Sequence, residues 1–125
     1  MPVSIEKNSK IDLTIFKASG EMPFSEQMNV LKRFYEGSPT RNVIWDFLDV
    51  DNVNMSNSEL QAIVKYSKAH SDKRMGGRTA LVVNTAFKYG LSRMASIFAE
   101  IESTPWDMEV FGNMDEAIAW VSEIK

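Results

Sequence analysis

Cysteine is absent from the 125 residues. That removes disulfides, thiolate metal ligands and thiol nucleophiles at once. A single histidine, His70, excludes a multi-histidine metal site and a histidine-rich catalytic cluster. Long hydrophobic runs are missing too. The longest aliphatic stretch is Ala80-Leu81-Val82-Val83, whereas a membrane-crossing helix needs about 20 apolar residues. No G-x-S-x-G or G-x-G-x-x-G pattern occurs. Basic charge is not in excess: 14 Lys+Arg stand against 17 Asp+Glu, a net charge of −3. This balance excludes a strongly basic nucleic-acid binder and a disordered acidic tail.

What remains has the make-up of one globular domain, with 44% hydrophobic and 25% charged residues. A chain of this length buries roughly two-thirds of its unfolded surface, enough for a self-supporting core. Residues Met1 to Lys7 carry no basic patch followed by an apolar run, so no signal peptide is read there. With eight methionines and no cysteine, a cytoplasmic protein is expected. Asn54-Met55-Ser56 fits a glycosylation pattern, which without a secretory route is read as chance.

The elements come at even spacing. Val3 and Ile5 alternate with Ser4 and Glu6. After a turn at Asn8-Ser9, Ile11, Leu13 and Ile15 alternate with Asp12, Thr14 and Phe16, the period of half-buried strands. A hairpin is predicted, with part of one sheet face wet. A helix opens at Pro23 or Ser25, carries Phe24, Met28, Leu31 and Tyr35 with Val30 and Phe34 beside them, and stops at Gly37-Ser38-Pro39. Val43-Ile44-Trp45 is a third strand ending at Asp46, followed by a loop from Leu48 to Met55. Ser56-Asn57-Ser58-Glu59 is a capping box, and its helix points Leu60, Ile63 and Val64 inward before fraying near His70. Gly76-Gly77 turns into Thr79–Val83, an unalternating strand expected to be covered on both faces. Asn84 or Thr85 caps a third helix over 86–102. Pro105 separates it from a last strand, Met108–Phe111. Asn113-Met114-Asp115-Glu116 starts a final helix with Met114, Ala117, Ile118, Val121 and Ile124 on one side. The predicted order is β-β-α-β-α-β-α-β-α: a single α/β domain with a mixed sheet, right-handed crossovers and four helices.

The third helix is the most informative element. Phe87, Gly90, Leu91, Met94, Ile97, Phe98 and Ile101 fall within an arc of about 120° at helical periodicity. Lys88, Tyr89, Ser92, Arg93, Ser96 and Glu100 fill the other side. One reading is a helix docking its apolar face on the sheet. The other is that Phe87, Leu91, Met94, Ile97, Phe98 and Ile101 line a lipid-type pocket or rest on a membrane. Gly90 weakens the helix by about 1 kcal/mol relative to alanine, and Met94 with the phenylalanines makes an adaptable surface. Lys88 and Arg93 are offset by Glu100 and Glu102, so attraction to anionic lipid is weak.

Other candidates have plainer readings. Asp46, Asp49 and Asp51, with Asn52 and Asn54, follow a strand's C-terminal end, where open sheets often bind ligands. They lack the glycine and closing glutamate of a calcium loop, so they read as solvated charges. Gly76-Gly77-Arg78 precedes a strand and lacks Gly-Lys-Ser/Thr, so it is a turn and no phosphate loop. His70 has no nucleophile beside it. Glu100 and Glu102 lie on different helix faces. Trp45, Trp106 and Trp120 read as packing anchors. No catalytic constellation, metal site or cofactor is indicated.

The element order and several stretches resemble the SpoIIAA-like family of bacterial proteins. The stretches are Pro39–Asp46, Gly77–Val83, and Val110-Phe111 with Ala117-Ile118-Ala119-Trp120, together with Gly20-Glu21. The resemblance implies the fold of the STAS group, an architecture shared with CRAL-TRIO lipid-binding domains. Sporulation members of the group are phosphorylated on a serine in an Asp-Ser-Ser-Gly-Leu motif by a kinase that is also an anti-sigma factor. Aligning Leu60 places Ser58 at that serine, with Ser56, Asn57 and Glu59 where the motif has Asp, Ser and Gly. Two function classes follow. The first is a non-enzymatic module holding a small apolar or lipid-like ligand between the sheet and helices three and four, with peripheral membrane contact. The alternative is a regulatory protein of the anti-sigma-antagonist kind, switched at Ser58 and bound to a protein partner. Nucleic acid is not an expected partner.

Overall fold

The computed structural model describes residues 3–123. Ile124, read as the last apolar position of the final helix, lies outside them. Strands β1 (Val3–Asn8) and β2 (Leu13–Glu21) form the hairpin, antiparallel from Val3 opposite Ala18 to Asn8 opposite Leu13. The turn between them holds Asp12 at φ 51, a left-handed conformation that aspartate tolerates better than most residues. β3 (Asn42–Asn52), β4 (Arg78–Val82) and β5 (Asp107–Phe111) add in parallel, and the five strands lie in the order β1-β2-β3-β4-β5. Helices α1 (Phe24–Glu36), α2 (Asn57–Ala69), α3 (Ala86–Glu102) and α4 (Met114–Val121) make the crossovers, with a short 3-10 turn at Asp72–Arg74.

Strand pleating sorts the helices into two layers. Phe16, Trp45 and Leu81 face a core shared with Val30, Leu31 and Phe34 of α1 and Ile63 of α2. Leu13, Ile44, Ala80 and Val82 face the other way, onto Ala117 and Val121 of α4. Phe16 stacks on Trp45 at 4.3 Å and meets Phe34 edge-on at 5.3 Å. α3 packs beside α2 and against β5, and the side chains beneath it belong to the Trp45–Leu81 face. Helices three and four therefore lie on opposite faces. The expected space between the sheet and that pair does not exist; α2 takes the place assigned to α4.

The helix starts follow the sequence closely. Ser56 Oγ accepts from the Glu59 amide at 3.2 Å while Glu59 Oε1 accepts from the Ser56 amide at 2.9 Å. Thr85 and Asn113 cap α3 and α4 by accepting from the Lys88 and Glu116 amides. Gly77 is required by close approach, because a Cβ there would sit 2.0 Å from the Arg41 carbonyl oxygen.

Two expectations need correction in the sheet. β2 is wet on one face only along its second half: Thr14 and Phe16 are fully buried where the strand lies between β1 and β3, whereas Lys17, Ser19 and Glu21 are exposed and alternate with buried Phe16 and Ala18. The exposed strand is the edge, β1, where Ile5 faces outward. β3 does not end at Asp46 either. It continues to Asn52 against the second half of β2, with irregular register opposite Lys17 to Ser19 and Gly20 to Glu21. Asp49 then pairs across to Lys17 at 3.8 Å.

Candidate functional site

The extension of β3 creates an electrostatic need. Its last pair with β4 is Asp46 opposite Val82, so the residues beyond have no strand on that side. Asp46 Oδ1 accepts the Leu48 amide at 3.0 Å. The carbonyls of the neighbouring residues Phe47 and Leu48, which point opposite ways in a regular strand, both turn towards α3. Lys88 answers them from the first turn of α3. Its ammonium donates to Phe47 O at 2.8 Å, Val50 O at 3.0 Å and Leu48 O at 3.5 Å. Asn84 adds a fourth bond, to Leu48 O at 3.3 Å. All three ammonium hydrogens thus meet backbone acceptors, and Lys88 is only 7% exposed.

This seat decides which way α3 faces. Lys88, Ser92, Ala95 and Ala99 are buried. Phe87, Ile97 and Ile101 are 63%, 47% and 70% exposed. Leu91, Met94 and Phe98 are half-buried. The reading in which the apolar arc docks on the sheet is therefore overturned. Small side chains let the polar face approach closely, and the overhanging carbonyls supply the partner for its lysine.

Between α3, α2 and the sheet lies a cavity of about 90 Å³. Its walls are largely apolar, with Trp45, Leu81 and Met108 from the sheet, Ile63 and Val64 from α2, and Ala95 from α3. Of the six α3 residues proposed to meet a ligand, only Leu91 lines it. Phe98 and Ile101 border a separate cleft of about 240 Å³ with Gln61, Lys65 and Glu102. Phe87, Met94 and Ile97 border neither of these spaces.

Two buried cations flank the cavity. Lys88 stands at the end where β3 overruns β4. Arg74, 3% exposed, stands at the end where β4 begins. Arg74 Nε donates to Arg41 O at 3.1 Å; Nη2 donates to Arg78 O at 3.2 Å and Thr79 Oγ1 at 2.6 Å; Nη1 reaches Tyr35 Oη at 3.5 Å. Its guanidinium lies 4.7 Å from the centre of the Trp106 ring. Burial lowers its pKa from the ordinary arginine value, and Tyr35 opposes that shift. No carboxylate of the described residues lies within 4 Å of either cation. The Trp106 indole N–H is buried with no acceptor among the described residues. Trp106 also separates the cavity from a polar cleft of about 530 Å³ beside Arg78 and Asp107.

Sequence reasoning missed Lys88 and Arg74. The available signal was a stripe, Lys88-Ser92-Ala95-Ala99, at helical spacing: a lysine followed by small residues that permit close approach. Arg74 sits in the charged run Asp72-Lys73-Arg74, whose composition carries no sign of burial. Ser58 is exposed in the first turn of α2, with its hydroxyl 3.3 Å from that of Ser56. His70 Nδ1 lies 2.9 Å from the Tyr66 carbonyl and its ring stacks on Tyr66 at 4.1 Å. Among the described residues, no group of three or more His, Asp or Glu side chains stands together to hold a metal ion.

Lys88→Met keeps the stem and removes the donor. It leaves the β3 carbonyls unmet and is expected to cost about 3 kcal/mol, read as a lower urea midpoint at unchanged slope. A change below about 0.5 kcal/mol, the range of an ordinary surface substitution, contradicts this role.

No protein-family model matches the chain, and no curated protein matches it. Among solved structures it is similar to an uncharacterised protein of the DUF3478 family with a SpoIIAA-like fold, from Shewanella loihica PV-4. The two are 19% identical with a TM-score of 0.60, over 95% of this chain and 91% of that one. Likeness at this identity speaks to architecture and not to activity. The β-β-α-β-α-β-α-β-α chain, with its mixed five-stranded sheet and four helices, has the SpoIIAA-like fold.

Proposed function

We propose that the protein is a non-enzymatic binding module that holds a small apolar or amphipathic ligand in the cavity between the sheet, α2 and α3. The observation that carries this reading is the cavity itself. It measures about 90 Å³ and has largely apolar walls, and apolar spaces in a protein interior take up small apolar guests. Xenon is the simplest probe. Under xenon pressure, amide and indole resonances of Trp45, Leu81 and Leu91 are expected to shift in a saturable way while those of β1 stay put. Absence of any saturable shift removes the reading.

The exposed face of α3 supports a second role for the module, contact with a lipid surface. Phe87, Ile97 and Ile101 stand outward on one helix, and no helix among the described residues is long and apolar enough to cross a membrane. Apolar side chains presented this way drive interfacial binding in proportion to the area they bury. The net charge of −3 makes the binding depend little on anionic lipid. In liposome co-sedimentation, the protein is expected to pellet with neutral phosphatidylcholine vesicles. The double change Phe87→Ser and Ile101→Ser is expected to abolish pelleting, while unfolding stability moves by no more than about 0.5 kcal/mol per site. Failure of the parent protein to pellet with any vesicle eliminates this role. A regulatory switch at Ser58 has less support. A phosphate there would meet favourable helix amides but also the Glu59 carboxylate fixed beside it.

A further inference from the structure

We infer that the ligand of the α2–α3 cavity is an anion: a carboxylate on a short apolar body, with its head group at the Arg74–Trp106 end. The inference rests on the cavity-binding reading above and names the ligand's chemistry.

Charge supplies the first argument. Arg74 and Lys88 are 3% and 7% exposed, and both line the cavity. Buried charges are normally paired with an opposite charge. Here every acceptor of either cation is a neutral carbonyl or hydroxyl. A protein with a net charge of −3 thus walls one small apolar space with two positive charges that have no carboxylate of the described residues within 4 Å. An anion entering it meets attraction in a medium of low dielectric, whereas a neutral ligand of the same shape does not.

Free donors fix the end. Lys88 has given all three N–H groups to β3 and contributes charge alone. A guanidinium has five N–H groups. Four contacts occupy those of Arg74, one of them the long 3.5 Å approach of Nη1 to Tyr35 Oη, so Nη1 keeps one N–H in reserve. The Trp106 indole N–H, on a residue 6% exposed, has no acceptor among the described residues, and the face of its ring lies 4.7 Å from the same guanidinium. Two donors of this kind suit the two oxygens of a carboxylate.

Size fixes the body. The cavity measures about 90 Å³, whereas about 150 Å³ accommodates benzene. A chain of about four carbons is the limit unless α3 moves. Trp45, Leu81 and Met108 give it apolar walls.

The test compares butyrate with butyramide, a neutral isostere, by protein-observed NMR titration at pH 7. Butyrate is expected to bind at least tenfold more tightly and to shift the Trp106 indole N–H resonance; butyramide is expected to shift the Trp45 and Leu81 resonances only weakly. Arg74→Gln is expected to erase the tenfold preference. Should that variant fail to fold, the two ligands on the unaltered protein still decide the matter. Equal affinity for both overturns the anion assignment and leaves the apolar-cavity reading standing. Xenon uptake without binding of either molecule also overturns it, and absence of all three overturns both.

Discussion

The ammonium of Lys88 on the loose end of β3 is the interaction on which the rest of the molecule turns. β2 is long, so β3 must be long to pair with it. β4 is short, so the last part of β3 has carbonyls with no strand beside them. Buried, unmet carbonyls are costly, and the first turn of α3 meets them with a lysine. Once that residue is fixed, helical geometry fixes the others. Ser92, Ala95 and Ala99 follow it inward, and Phe87, Ile97 and Ile101 are carried out.

Two structural features follow from this one choice. Small residues on the inner face do not fill the space above Trp45 and Leu81, and a cavity remains. The large apolar residues, displaced from the core, become a surface. Turning α3 by roughly a third of a revolution would bury its large apolar side chains, each worth about 1.5–3 kcal/mol. It would also strand the β3 carbonyls and force bulky groups into a space of about 90 Å³. Arg74 extends the same logic to the other end of the cavity. It ties the 3-10 turn to the start of β4 through Thr79 and the Arg78 carbonyl while bringing a second positive charge to the wall.

Much of the fold was legible because local chemistry and tertiary structure agree. The Ser56–Glu59 box, the Thr85 cap and the Asn113 cap mark helix starts by side-chain bonds to backbone amides, a purely local matter. β4 reads as central because no residue from Thr79 to Val83 breaks its apolar run except the buried Thr79 itself. The misses occur where distant partners decide. Asp46 to Asn52 carry loop-like residues yet form strand, because β2 offers a partner that composition cannot reveal. Thr14 and Phe16 alternate with apolar neighbours, yet both faces of β2 are covered at its start and only the second half, at Lys17, Ser19 and Glu21, leaves one face open. In α3 the period is plain and the docking side is not. Hydropathy ranks its two faces correctly, but the helix obeys unpaired carbonyls that lie about 40 residues earlier in the chain. The candidate site inherits that miss. Leu91 alone was both foreseen and found at the cavity.

The orientation of α3 can be measured directly, since the chain has no cysteine of its own. Single cysteines at Ala95 and at Ile101, each reacted with a soluble maleimide under native conditions, report the inner and outer faces. The account predicts that Ile101→Cys reacts about as fast as a cysteine in an unfolded peptide, and that Ala95→Cys is slowed at least a hundredfold. Fast reaction at position 95 with protection at position 101 would place the apolar arc on the sheet and contradict it.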